Sequence, residues 1–242
     1  MIEMKDVSYA YDNSITALNN ISFKIDEGEA VALVGVNGSG KSTLMSLING
    51  LISPTKGKYL LDNEEITHKK LQSERFSKAF HKRIGFVFQN SEVQLFCSKV
   101  YDEIAFGPRQ MGMKEEEVNK RVQDTMQLLK IEHLSDRQPY HLSGGEKKKV
   151  AIASVVVLNP DIYVFDEPMN GLDPKTKRFL KEFMINLNKA GKTILCSTHD
   201  FEYVQGVFRR ALVFSDNHCI IRDDDYEEVL KDTKFLIENN II

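Results

Sequence analysis

Apolar and polar positions along the chain change period several times, and each change marks an element. The first stretch carries strand-like runs, IEMKDVSYAY, ISFKI and EAVALVG, punctuated by DNS and DEG, whose short polar residues and glycine favour turns. The third run is almost wholly apolar, which predicts a buried strand leading straight into a glycine-rich loop. Behind the loop, Leu44, Leu47, Ile48 and Leu51 fall at i, i+3, i+4 and i+7. That spacing predicts one apolar helix face ending near Ser53-Pro54, because the residue before a proline is pushed out of helical backbone.

Residues 58–90 read as mixed strand and loop, and the run RIGFVFQ predicts a strand closing on Gln89. A basic stretch from His68 to Arg83 lies inside this region, but Glu74 and the apolar Leu71, Phe76 and Phe80 interrupt it, so it reads as a solvated charged face. From 112 to 131 the pattern turns helical, with Glu115–Glu117 at the positive end of the dipole and Val118, Val122, Met126 and Leu129 on one side. A further helix is predicted through KKKVAIASVVVL. After it come a buried strand in DIYVFDEP, a helix from Pro174 to Ala190 closed by Gly191, and a strand in KTILCSTHD. Alternating strands and helices predict a mostly parallel sheet covered on both faces. The helical stretch 91–160 reads as a subdomain inserted into that sheet, and no linker or repeat divides the chain.

Composition narrows the function without naming it. With 32 Lys+Arg against 35 Asp+Glu, a net charge of −3 gives no electrostatic case for nucleic acid as the main partner. Cys97, Cys196 and Cys219 have neither metal-ligand nor redox spacing and read as reduced packing residues. The start, MIEMKDVSYAYD, lacks the basic and apolar segments of a secretory signal, and no apolar run approaches the ~18–20 residues that span a bilayer. Any role at a membrane is therefore expected to come through partner subunits.

The chemistry begins at residues 35–43, GVNGSGKST. Gly35, Gly38 and Gly40 let the amides of Val36, Asn37, Ser39 and their neighbours converge on phosphate oxygens where a side chain would obstruct them. Lys41 supplies a point charge to the β- and γ-phosphates of a nucleotide such as ATP, and Ser42, followed by Thr43, can ligate Mg²⁺ at a helix N-terminus. A strand before and a helix after are the context such a loop requires. IYVFDE, at 162–167, ends an apolar strand in Asp166, which would help hold the Mg²⁺ shell through water. Glu167, one step on, can orient an attacking water. His199 and Gln89 end two further strands, so four polar groups converge on one sheet edge. A neutral imidazole there can contact the γ-phosphate and the water, while the amide can reach Mg²⁺ or water and release it. LSGGE, at 142–146, is a second glycine turn with no lysine of its own.

Taken in order, these residues resemble the ATP-binding cassette (ABC) family over nearly the whole chain. Tyr11 matches the adenine-stacking aromatic, GVNGSGKST the Walker A loop, Gln89 the Q-loop and Leu142, Ser143, Gly144, Gly145 and Glu146 the signature. IYVFDE matches Walker B, NGLD with Asp173 the D-loop, and His199 the switch. The resemblance implies an α/β fold with a P-loop, RecA-like parallel core sheet, an N-terminal antiparallel β lobe and an α-helical subdomain at about 91–160, all in a single domain spanning 1–242. It also implies ATP and Mg²⁺ as cofactors, and Glu167, His199 and Gln89 as catalytic groups. Two cassettes, identical or related, would sandwich two ATP molecules, the signature of one covering the γ-phosphate held by the other. QNSEVQLFCSKVYDEIAFGP, with Gln94 and IAFGP, looks like the segment after the Q-loop in energy-coupling factor and cobalt-type importer ATPases. Ser91 replaces a usual proline, Lys149 a usual arginine, and EPMN a usual EPTA or EPTS, while the tail lacks the usual glycine turn. The reading is an ATPase subunit on the cytoplasmic face of the membrane, bound to a transmembrane scaffold and a substrate-binding membrane component, with cobalt, nickel or a vitamin as cargo. A conventional ABC importer or exporter ATPase is the alternative, followed by a non-transport cassette acting on DNA or the ribosome.

Overall fold

The computed structural model describes residues 1–242 apart from Asn13, Ser14 and Glu202. Its elements run β1 (Ile2–Tyr11), β2 (Ile15–Ile25), β3 (Ala30–Gly35), α1 (Lys41–Ile48), β4 (Lys56–Leu61), β5 (Glu64–Glu65), α2 (His68–Leu71), α3 (Glu74–Arg83) and β6 (Ile84–Val87). There follow α4 (Val100–Gln110), α5 (Glu115–Leu129), α6 (Gly144–Val156), β7 (Ile162–Asp166), α7 (Pro174–Lys189), β8 (Thr193–Ser197), β9 (Arg210–Phe214), β10 (Ile220–Asp225), α8 (Tyr226–Lys231) and α9 (Thr233–Glu238).

Two sheets form. A small antiparallel sheet has the order β2-β1-β4-β5, and a larger one the order β10-β9-β3-β8-β7-β6. Within the larger sheet β9, β3, β8, β7 and β6 are parallel, and only β10 at the edge runs antiparallel. Because successive side chains on a strand project to opposite faces, the apolar run of β3 serves two cores at once. Val31 and Leu33, with Val164, Leu195 and Leu212, pack against α1 and the small sheet. Ala30, Ala32 and Val34, with Tyr163, Phe165 and Ile194, pack under α4 to α8. The expected α5 face, Val118, Val122, Met126 and Leu129, is buried in this second core.

Some elements differ from expectation. The basic stretch His68–Arg83 is helical, as α2 and α3, rather than strand or loop. Phe76 and Phe80 sit one turn apart and stack, and Phe80 is buried against the end of α1, which gives a charged segment an anchor. Leu51 lies beyond α1, whose helix ends at Ile48, and is exposed. The ISFKI strand extends back to Ile15, and β6 ends at Val87, leaving Gln89 just past it. The DNS turn falls partly on Asn13 and Ser14, outside the described residues.

Parallel pairing brings the strand ends to one edge. Gly35 pairs with Phe214, Asp166 with Ser197, and Val87 with Phe165. The glycine loop after β3, Glu167 after β7, His199 after β8 and Gln89 after β6 therefore emerge side by side, where ligands of such sheets bind.

Candidate functional site

The loop between β3 and α1 is shaped by its glycines. Gly40 has φ +106, and a Cβ there would lie 2.3 Å from Ala17 O, so β2 packs on the loop only if this position is bare. Gly38, at φ +81, has nothing within 4 Å of its Cβ direction and so leaves open space. Lys41 is buried and donates from Nζ to Gly35 O (2.7 Å) and Val36 O (2.9 Å). Burial lowers its pKa, and the carboxylates of Glu167 and Asp166 oppose that shift. Ser39 Oγ is buried without a hydrogen-bond partner among the described residues.

Gly38, Gly40 and Lys41 line a cavity of about 340 Å³ together with Asn37, Ser42, Gln89, Glu167, Asn170 and His199. Glu167 has φ 43, a left-handed backbone that side-chain-bearing residues adopt only at a cost of about 1–3 kcal/mol. Its carboxylate Oε1 lies 3.1 Å from His199 Nε2. Burial raises the pKa of Glu167, against the pull of Lys41, while burial and then Lys41 lower that of His199. The neutral imidazole thus sits 3.1 Å from a carboxyl group of raised proton affinity, a pairing able to hold and deprotonate a water.

Asp166 does not line this cavity. It is buried and accepts a 2.7 Å hydrogen bond from Ser197 Oγ, which in turn accepts the Glu167 amide at 2.9 Å. Ser197 was not singled out in the sequence; its role follows from the pairing of Asp166 with Ser197, which no local motif encodes. Asn170 and Asp200 also line the cavity, and Asp200 is held by Lys177 through two 3.0 Å hydrogen bonds. Tyr11 stands beside the loop, its hydroxyl 3.3 Å from Thr43 Oγ1 and its ring edge-to-face with Tyr9, leaving an exposed aromatic surface.

The residues around the cavity fit a nucleotide phosphate chain and a hard cation. Open space at Gly38, the α1 N-terminus and the Lys41 ammonium suit an anion with many acceptors. Among the described residues no three His, Cys, Asp or Glu side chains group as metal ligands. The Ser42 hydroxyl and Gln89 amide in the lining, with the Asp166 carboxylate buried outside it, suit Mg²⁺, which keeps waters between itself and some carboxylates and takes its remaining ligands from phosphate.

LSGGE lies elsewhere. Ser143 caps α6 in a reciprocal box: its Oγ accepts the Glu146 amide (3.4 Å), and Glu146 Oε2 accepts the Ser143 amide (2.9 Å) and hydroxyl (2.7 Å). These bonds hold the Glu146 pKa below its ordinary value. Leu142 is buried beneath, and the Gly144 Cβ direction is open. At Gly145 a Cβ would come within 2.9 Å of Thr176 Oγ1, so the glycine admits the start of α7. Asp173 caps α7 by accepting from the Lys175 (2.9 Å) and Thr176 (3.0 Å) amides. Ser143, Gly145, Glu146 and Asp173 line a second cavity, of about 470 Å³, that shares no residue with the first.

A third feature follows the Q-loop position. Val93, Phe96, Phe106 and Tyr140 are exposed, with Phe96 edge-to-face on Phe106, beside a cavity lined by Glu92, Leu95, Pro139, Tyr140 and Lys147. The three cysteines are free thiols. Among the described residues no helix is long and apolar enough to cross a membrane.

The sequence pattern of the family described as ABC transporter matches residues 18–170. A putative ABC transporter ATP-binding protein of Clostridium acetobutylicum is 59% identical over 242 residues, covering 100% of both chains. The nickel import ATP-binding protein LarO of Lactiplantibacillus plantarum is 43% identical, covering 92% of each chain. An energy-coupling factor transporter ATP-binding protein, EcfA, of Methanothermobacter thermautotrophicus is 36% identical over 98% of this chain and 74% of its own. Among solved structures, cbiO1 of Clostridium perfringens, part of the ABC transporter complex cbiONQ, superposes with TM-score 0.83 at 34% identity, covering 99% of this chain and 94% of that one. The ATP-binding cassette MJ0796, dimeric and bound to ADP and Pi, superposes with TM-score 0.84 at 30% identity, covering 93% and 98%.

Proposed function

The chain belongs to the ABC transporter family, and on that premise we propose that it hydrolyses ATP to power an importer of the energy-coupling factor or cobalt type. Support for the subgroup comes from the relatives named for nickel import and energy coupling and from the structural likeness to cbiO1. The cargo class is cobalt or nickel ion, or a vitamin.

One observation carries the mechanism: the loop that holds a triphosphate and the signature that would cap one line separate cavities of a single chain. Each chain then owns two half-sites, and a head-to-tail dimer, of identical or related chains, completes both. The likeness to a dimeric cassette bound to ADP and Pi supports that reading. Residues 35–43, with Lys41 as their point charge, bind the phosphates, and Tyr11 stacks on the adenine. Ser42 and Gln89, with Asp166 through water, would hold Mg²⁺, which would supply charge neutralisation of the phosphates. Glu167 orients the attacking water and accepts its proton, with His199 fixing the carboxylate through the 3.1 Å contact. From the partner, Ser143 and the amides of Gly144 and Gly145 offer hydroxyl, backbone donors and helix dipole to the γ-phosphate. Asp173 holds the start of α7 against this cap.

The exposed Val93, Phe96, Phe106 and Tyr140 receive a helix of the membrane scaffold. The chain then sits peripherally at the cytoplasmic face, with a substrate-binding membrane component completing the importer. Purification of the tagged chain from membranes, identification of its companions and assay of their ATP hydrolysis test this. Recovery with a membrane scaffold and Mg²⁺-dependent turnover is expected. A chain recovered alone that hydrolyses ATP at full rate as a monomer contradicts it.

A further inference from the structure

One face of α6 is given over to the segment that carries Gln89. Lys148, one turn into the helix and only 3% exposed, donates from Nζ to Phe88 O (3.0 Å) and Gln89 O (2.8 Å). Both carbonyls lie past the last rung of the β6–β7 ladder, Val87 opposite Phe165, and no backbone amide among the described residues reaches them. Gln94 closes the other side. Its Oε1 accepts the Phe88 amide (3.2 Å), and its Nε2 donates to Ala151 O (2.8 Å) and Ser154 Oγ (3.1 Å). Lys147 adds an ion pair with Glu92. Lys147, Lys148, Ala151 and Ser154 recur at helical spacing, so a continuous stripe of α6 grips residues 88–94.

The chemistry at Lys148 is unusual for a buried lysine. Among the described residues no carboxylate lies within hydrogen-bond reach; two backbone oxygens take the ammonium instead, as charge-assisted bonds in a dry setting. Burial brings its pKa down to about 8, with the field of Asp166 opposing the shift, so the group remains a cation at neutral pH. The helix that bears it begins at Ser143, in the other half-site.

We propose that Lys148 is a positioning residue that locks Gln89 to the signature helix, so that the nucleotide in this chain's own cavity sets the placement of the cap offered to the partner. The inference rests on the functional reading above, in which Gln89 meets the chain's own nucleotide while Ser143 serves the partner's. Lys148 touches neither nucleotide; its effect passes through the two carbonyls.

The test uses the assembled complex with wild-type, Lys148→Met and Lys148→Arg chains. It measures ATP affinity, steady-state hydrolysis, melting temperature and amide exchange with and without ATP. Lys148→Met keeps the stem and removes the donor. ATP affinity within about twofold of wild type, kcat roughly tenfold lower and loss of ATP-induced protection at 143–156 are expected, with protection at 35–43 retained. Lys148→Arg restores kcat and the protection at 143–156. Wild-type turnover in Lys148→Met overturns the proposal. So does a loss that arginine does not rescue, or one that falls in step with ATP affinity and melting temperature, since that marks packing alone. If the wild-type complex itself shows ATP protection at 35–43 and none at 143–156, the cross-chain role of the signature has failed rather than the lock.

Discussion

Glu167 Oε1 lies 3.1 Å from His199 Nε2, and burial moves the two groups in opposite directions, raising the carboxyl pKa and lowering that of the imidazole. The lowered pKa leaves the imidazole neutral at neutral pH, beside a carboxyl group whose proton affinity burial has increased.

Glu167→Gln is expected to bind ATP with near wild-type affinity while hydrolysing it roughly 10²–10⁴-fold more slowly, the range for loss of a general base. The variant should accumulate as an ATP-bound dimer, visible by light scattering after size exclusion. Ordinary turnover in this variant would remove Glu167 from the chemistry.

The same substitution should stabilise the protein at neutral pH. With the folded pKa above the unfolded value of about 4.3, the native state holds more protons across the window between them, so the group's contribution falls as pH rises through it. Replacing the carboxylate with an amide removes that loss. The melting temperature of Glu167→Gln should exceed wild type at pH 7, and the difference should vanish below the unfolded pKa. A difference that persists unchanged at low pH would place its origin elsewhere.

Ser143→Arg should abolish ATP-driven dimerisation while the single chain still binds nucleotide, because Ser143 lies outside the cavity of Lys41. Sedimentation with and without ATP separates the two effects. Nucleotide affinity lost together with dimerisation would mean that the signature acts within its own chain.

Tyr226 is fully buried against Phe208, and its hydroxyl has no hydrogen-bond partner among the described residues. An unmade buried hydrogen bond costs about 1–3 kcal/mol, so Tyr226→Phe should leave stability to urea unchanged or raise it by about 1 kcal/mol. A loss of stability would reveal a partner for the hydroxyl, such as an ordered water.

Much of the site was legible because its signals are local. A glycine loop between an apolar strand and a helix, a carboxylate pair at a strand end and a second glycine turn before a helix each occupy a few consecutive residues. Backbone geometry at that range follows from residue type, and the structure shows the strand, loop and helix where GVNGSGKST requires them. Where the signal was weak, expectation erred. The charged stretch His68–Arg83 is helical because Phe76 and Phe80 find a surface contributed by α1 and α2, which sequence spacing alone does not supply.

By itself, the sequence determined which groups exist and the local turn each one occupies: the glycine loop at 35–43, Glu167, His199, Gln89 and the LSGGE helix start. Tertiary structure alone decided which of them meet. Register between β7 and β8 set Ser197 under Asp166, the Gly40 contact with β2 shaped the loop, and α6 placed Lys148 on the carbonyls of Phe88 and Gln89. The physical reason is that strand register and helix packing are fixed by contacts between segments far apart in the chain. For the same reason, the loop and the signature, each unmistakable locally, open into different cavities.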